Sequence, residues 1–351
     1  MKLLNNILRW LNLLLILVTL LAYLSTFINP AKIWHLTFLG LIYPVLLLGN
    51  IFFIVFWAVR KNRYWLFSLG CILVGFGFLT SFFGLHFFKN TTAGDNEIRV
   101  MTYNVGGLKN YNGDPEPTRQ KKLALLTRLA EQAGEPQILC VQEGHGVQTI
   151  EAVKKSFGFP NYFKEKGAFI YSKFPFLDKG VVPFGKETTN SCLWADLKTP
   201  KGTVRVYCVH LQSNRMSQTA NRIATKGDIR QSETWSDIRF VLRRYKRAVT
   251  IRAEQAQAVA NHIAQSPHPA ILCGDFNDPP VSYVYRLLSK GLKDSFVEKG
   301  AGIGSTFAGR LPALRIDYLL SGPQFKVQDH KVMKVELSDH YPVLVKLDIG
   351  N

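Results

Sequence analysis

Residues 270–278 read AILCGDFND, an apolar run that breaks into Gly-Asp-Phe-Asn-Asp. A run this short, bordered by Pro269 on one side and Pro279 and Pro280 on the other, has the length and punctuation of a buried strand. Its ending decides the architecture. Asp275 and Asn277 stand where the strand leaves the core, and the same arrangement recurs along the chain. VMTYNV ends in Asn104, ILCVQE ends in Glu143, RVYCVHLQ carries His210 late, RIDYLL holds Asp317, and Asp339–His340 precede YPVLV. Strand ends on one side of a sheet converge in space. Carboxylates, imidazoles and amides gathered there are the inventory for a hard divalent cation and general acid–base chemistry.

Singly, each residue has a plain structural reading. Asp-Phe-Asn makes an Asx-turn, Asp339 turns the chain into the last strand, His210 fits a buried histidine and Glu143 an exposed strand end. The ordered set, each member beside its own apolar strand, is hard to explain as turns. Markers of other chemistries are missing: there is no Cys-x-x-Cys, His-Glu-x-x-His or Gly-x-Ser-x-Gly. GAGIGSTF at 300–307 lacks the dinucleotide and P-loop spacings and reads as a loop. Five cysteines in 351 residues are too few for a disulfide framework. Cys140, Cys208 and Cys273 read as small core residues, and a Cys192–Cys208 bridge is not expected.

QILCVQE, GAFIYSKF, SCLWADLK, TVRVYCVHL, LRIDYLL and YPVLVKLDI read as further strands, and amphipathic helices fit 118–132, 147–157, 251–265 and 282–290. So many antiparallel-looking strands exclude a simple doubly wound sheet. Two packed sheets with helices outside, an α/β sandwich, satisfy the pattern.

From about Glu97 to Asp348 the chain resembles the endonuclease/exonuclease/phosphatase superfamily, the fold of deoxyribonuclease I, abasic-site endonucleases, inositol polyphosphate phosphatases and neutral sphingomyelinases. The resemblance rests on TYNV, VQE, IYSKFP, VHLQ, GDFND, RIDYLL and SDHYPV in the family's order. It implies a four-layer α/β/β/α sandwich and Mg²⁺-dependent phosphoester cleavage, with Mn²⁺ as the substitute ion. It implies Glu143 as the metal-site carboxylate with Asn104 nearby, His210 on the phosphate side and Asp275 with Asn277 as the catalytic pair. It further implies Asp317 as the Asp that orients a histidine, and Asp339–His340 as the terminal pair. In chemical terms, Mg²⁺ on Glu143, Asn104 and Asp339 neutralises the non-bridging oxygens. Asp275 orients or deprotonates water, and Asn277 holds Asp275 or a phosphate oxygen. His340, oriented by Asp317, and His210 supply hydrogen bonds and positive charge to the phosphorus centre.

Ahead of this domain the composition changes. Only seven of the 43 Lys/Arg and one of the 25 Asp/Glu precede Glu97, which leaves +6 there and +12 beyond, of a total of +18. Residues 1–88 read as a membrane anchor of three transmembrane helices, at about 7–28, 36–59 and 64–88. Each exceeds the roughly 20 residues that span about 30 Å of hydrocarbon. Lys2, Arg9, Arg60, Lys61 and Arg63 flank one side, against Lys32 and Lys89 on the other. The positive-inside rule then puts the N-terminus in the cytoplasm and the domain outside it. Residues 89–96 form a polar linker and 97–351 the catalytic domain, with a basic helical insertion at about 213–250 that carries RRYKR at 243–247.

The expectation is a membrane-anchored, Mg²⁺-dependent phosphoesterase, nuclease-like and working on a phosphodiester on the extracytoplasmic side. A lipid head-group phosphodiesterase or phosphatase is the alternative, and a tethered non-enzymatic binding module the third reading. The expected partners are the lipid bilayer and a phosphoester substrate, nucleic acid or phospholipid head group, with no obligate protein partner.

Overall fold

The computed structural model describes residues 2–87, 97–108, 114–185, 188–214, 232–308 and 314–349. They fall into two compact units. One is Met1–Thr80 with Gln212–Gln255 and Asp278–Arg286; the other is Ser81–Leu211 with Ala256–Asn277 and Leu287–Asn351.

The second unit holds two six-stranded sheets. One runs in the order β13 (Phe325–Val332), β14 (Val343–Ile349), β2 (Glu97–Asn104), β3 (Ile138–Gln142), β5 (Ala168–Ser172), β4 (Asn161–Glu165). The other runs β10 (Lys293–Asp294), β12 (Asp317–Ser321), β9 (Ala270–Asp275), β8 (Gly202–His210), β7 (Ser191–Thr199), β6 (Phe176–Val181). The pairs β2–β3 and β8–β9 are parallel, and the other pairs in both sheets are antiparallel.

The two-residue period of a strand sorts the side chains. Ile98, Val100, Ile138 and Cys140 enter the core between the sheets, where they meet Val206, Cys208, Ile271 and Cys273. Their neighbours Met101, Tyr103, Leu139 and Val141 face the other way, against Leu126 and Leu129 of α6 (Glu116–Gln132) and Val153 and Phe157 of α7 (Val147–Phe157). Both faces of the central strands are therefore covered, and each buried Val, Ile or Leu contributes about 1.5–3 kcal/mol. Beyond the second sheet, the Tyr207 hydroxyl meets Nδ1 of His262, near the end of α8 (Ser232–Ala264), at 2.9 Å. Helix, sheet, sheet and helix make the expected four layers.

Two readings need correcting in this unit. The helix expected at 251–265 is the end of α8, a single 33-residue helix that begins at Ser232. The stretch read as a loop contains β11 (Ala301–Ile303), which pairs with β1 (Phe83–Leu85). The five cysteines are free and buried.

In the first unit, α1 (Lys2–Ser25) contains one helix long and apolar enough to cross a membrane, Leu3–Ser25. The second apolar run is bent by 58° between Trp34–Leu41, which includes α2 (Thr37–Leu41), and α3 (Tyr43–Val59). Pro44 sits in the first turn of α3 and cannot donate to the preceding turn. The third run is bent by 73° between α4 (Trp65–Val74) and α5 (Phe76–Phe82). It leaves the helix after Phe82 rather than reaching residue 88, because Phe83–Leu85 is drawn into β1. Polar side chains tie α1, α3 and α4 together. Asn12 Nδ2 donates to Ser68 Oγ at 2.7 Å, Trp57 Nε1 donates to Asn12 Oδ1 at 3.1 Å, and Asn50 Nδ2 donates to Thr19 Oγ1 at 2.9 Å. The basic stretch at 213–250 falls within this unit, where residues 232–250 are helical; residues 215–231 and the linker at 89–96 lie outside the described residues.

Candidate active site

The strand register assembles the site. Asn104, His210 and Asp275 close β2, β8 and β9, His210 opposite Asp275, while Asp317 opens antiparallel β12 directly across from Asp275. All share the parity of the inter-sheet core residues Val100, Cys208 and Cys273 and of Leu319, so they end up on the inner faces of the two sheets. Gly274 makes the approach of β8 and β9 feasible: its φ is +138°, and any Cβ there would collide with the backbone carbonyl of Val209.

Asp275 is 1% exposed and heavily bonded. Asn104 Nδ2 donates to its Oδ2 at 3.0 Å, Asn277 N to its Oδ1 at 2.8 Å, and Asn277 Nδ2 to its Oδ2 at 3.1 Å. Nε2 of His340 lies 3.9 Å from Asp275 Oδ2, and Nδ1 of His340 is bonded to Asp317 Oδ2 at 2.9 Å. Phe307 meets the imidazole edge-on at 5.3 Å. His210 Nε2 stands 3.9 Å from Asp275 Oδ2 and 3.7 Å from Glu143 Oε1, which in turn lies 3.5 Å from Asn104 Nδ2. Glu143 and Asn277 adopt left-handed φ values of +56° and +54°. Asn tolerates this; for Glu it stores about 1–3 kcal/mol, a strain that recurs where a side chain must be aimed. Seven of the eight expected residues thus converge. Asp339 is exposed, and its carboxylate accepts from Ser338 Oγ at 3.4 Å.

Burial and the neighbouring Asp317 carboxylate push the Asp275 carboxyl up to about 7, against the lowering pull of His340 and the donors from Asn277 and Asn104. Burial alone would lower His340; the Asp317 and Asp275 carboxylates overcome it and raise the imidazole to about 10. Ligand atoms of Asp275, Asp317 and His340 lie within 4.8 Å of one another. The Asp317–His340 bond and a protonated imidazole already supply positive charge there. The half-buried Glu143 carboxylate beside the Asn104 amide is the more open oxygen set, and it fits a hard divalent cation.

Two supporting residues escaped the sequence reading. Thr306 Oγ1 accepts from the backbone N–H groups of Ile316 and Asp317, both at 3.0 Å, while its carbonyl accepts from Tyr341 at 2.6 Å. It therefore ties the approaches to Asp317 and His340 together. Ser338 Oγ donates to the Asn104 carbonyl at 2.7 Å and accepts from His340 N at 3.2 Å. Only the Ser of SDH and the STF after the glycines were there to signal them.

A four-layer sandwich whose two sheets bring acid, imidazole and amide groups to one end defines a hydrolase of phosphate esters. The chain belongs to the Endonuclease/Exonuclease/phosphatase family, which matches residues 101–340. Residues 5–82 match a second family, Domain of unknown function (DUF8431). No curated protein matches the chain in sequence. Among solved structures, an endonuclease/exonuclease/phosphatase family protein from Bacteroides thetaiotaomicron is similar at 19% identity and a TM-score of 0.53, over 74% of this chain and all of that one. Humanized D. rerio TDP2 is similar at 17% identity and a TM-score of 0.51, over 72% of this chain and 99% of that one. At such identities the likeness speaks for the fold.

Proposed function

We propose that the chain is a membrane-anchored, Mg²⁺-dependent phosphodiesterase, nuclease-like in its chemistry, with its catalytic unit on the extracytoplasmic side. The observation that carries the reading is the buried Asp275 carboxylate, held by two amides and approached by two histidines. Glu143 and Asn104 would hold the Mg²⁺, which when bound neutralises non-bridging phosphate oxygens. Asp275, with its carboxyl near 7, is suited to take a proton from the attacking water at neutral pH. Asn104 and Asn277 fix the direction of its lone pairs. His340, kept protonated by Asp317, directs Nε2–H toward charge building on the phosphoryl oxygens, and His210, 3.7 Å from Glu143, would contribute from that side. The net charge of +12 from Glu97 onward suits a polyanionic substrate. The five-to-two distribution of Lys and Arg around the apolar runs supports the orientation.

The test is a side-by-side turnover assay of the full chain on DNA, RNA, sphingomyelin, phosphoinositides and a chromogenic phosphodiester, with and without Mg²⁺. Mg²⁺-dependent cleavage of the chromogenic diester and of nucleic acid is the expected result. Cleavage of sphingomyelin or phosphoinositide alone would replace nucleic acid with a lipid head group, and no turnover of any substrate would defeat the enzymatic reading.

A further inference from the structure

Within the first unit, the link between α1 and α3 packs against α8. Phe38 of α2 stacks on Tyr245 with ring centroids 4.1 Å apart, and Arg286 lies over the Phe27 ring at 3.8 Å. A Cβ on Gly40 would strike the carbonyl of Val281. A segment that follows directly on a membrane-length helix lies at the membrane–water boundary. Tyr245 therefore marks where α8 meets that boundary, and at about 1.5 Å per residue the preceding ten residues lie within roughly 15 Å of it along the helix.

Opposite the buried Tyr245, Ala248 and Val249, α8 presents an uninterrupted cationic stripe. Arg239, Arg243 and Lys246 follow one another at helical spacing with Arg247 alongside, all exposed. Among the described residues none of the four makes an ion pair. Trp235 and Leu242 border the stripe on one edge and Phe240 on the other, at 50%, 37% and 39% exposure. Cations flanked by aromatic and aliphatic side chains are what an interfacial helix offers to anionic lipid.

We propose that residues 235–247 form an interfacial helix that binds anionic phospholipid head groups beside the apolar bundle. This rests on reading the first unit as a membrane anchor. Each cation near an anionic surface is worth about fivefold in binding, and within a Debye length the four act together.

The test uses the full chain in lipid nanodiscs with a fluorophore on Ser236→Cys, the native cysteines being buried. Quenching by acrylamide should fall severalfold from phosphatidylcholine discs to discs enriched in phosphatidylglycerol, and recover in high salt. Replacing Arg239, Arg243, Lys246 and Arg247 by Gln should abolish the difference, with Lys246→Gln alone weakening it. Equal quenching in both discs would overturn the proposal. So would protection by a DNA oligonucleotide but not by anionic lipid, which would assign the stripe to nucleic acid. A second label on Leu14→Cys, midway along α1, separates the two readings: shielded in both discs it upholds the anchor whatever Ser236 reports, and quenched freely it defeats the anchor itself.

Discussion

Asp196 and Asp275 are both buried in the second sheet, and they have different fates. Asp196 accepts two parallel bonds from Arg205, both at 2.6 Å, and the guanidinium lies over the Trp194 ring at 4.1 Å. Asp275 is buried more deeply, but its neighbours are amides, imidazoles and a second carboxylate. Arginine does not give up its proton, so the bidentate Arg205 pair ties β7 to β8 and serves the fold. The partners of Asp275 either carry no charge or titrate, so its own proton becomes exchangeable near neutrality. Burial beside a permanent cation builds structure; burial beside titratable groups makes an acid–base catalyst.

Exchanging carboxylate for amide at each position should separate these roles. Asp275→Asn should lower kcat on a phosphodiester by roughly 10²–10⁴-fold while leaving the fold intact. Asp196→Asn should do the reverse, costing about 3–5 kcal/mol of stability by stranding the Arg205 charge, with kcat per folded molecule nearly unchanged. Paired kinetics and thermal unfolding of both variants check this, and a catalytic loss at Asp196 as large as at Asp275 would erase the distinction.

Glu143 lies between these extremes, half-buried and beside an imidazole. Glu143→Gln keeps the volume and removes the anionic ligand, so the Mg²⁺ concentration for half-maximal turnover should rise by roughly 10–100-fold. A metal titration reads this directly, and an unmoved midpoint would take Glu143 out of the cation site.

The pH dependence of stability should differ as well. In cation-free protein the Asp275 carboxyl sits near 7, against about 4 for an exposed Asp. The folded state therefore keeps a proton that the unfolded chain releases, so this contribution is full below about pH 4 and is lost as pH rises toward 7. His340, raised to about 10, slopes the same way between about 6.5 and 10. Asp275→Asn should thus gain Tm over wild type progressively from pH 4 to 7, and a gap that stays flat with pH would contradict the assignment. The smallest effect is expected at Thr306→Val, which deprives the N–H groups of Ile316 and Asp317 of their acceptor and should cost about 1–3 kcal/mol, with a modest loss of turnover.

The legible parts of the fold were those buried on both faces. The expected strands that became β2, β3, β5, β7, β8, β9, β12 and β14 lie inside the two sheets, where continuous apolar sequence is the rule. Of the strands that passed unnoticed, β4, β6, β10 and β13 are the edges of the two six-stranded sheets, where polar residues such as Lys179 and Gln328 interrupt the run, and β1 and β11 are three-residue strands that pair only with each other. The site residues were visible because a carboxylate or imidazole at the end of an apolar strand has few structural uses. Thr306 and Ser338 were not, since they act through backbone groups that leave no spacing in the sequence. Hydropathy measured the length of the second and third apolar runs but carries no direction, so it missed their bends; Pro44 and Gly75, each at a break, were the available signs.

The central claim is that Asp275 and His340 act on one transition state. It is tested most directly by a double-mutant cycle, measuring kcat on a chromogenic phosphodiester at saturating Mg²⁺ for wild type, Asp275→Asn, His340→Gln and the pair. Each single variant should fall by roughly 10²–10⁴-fold, and the double by much less than the product of the two losses. Near-normal turnover in either single variant, or losses that multiply fully in the double, would contradict it.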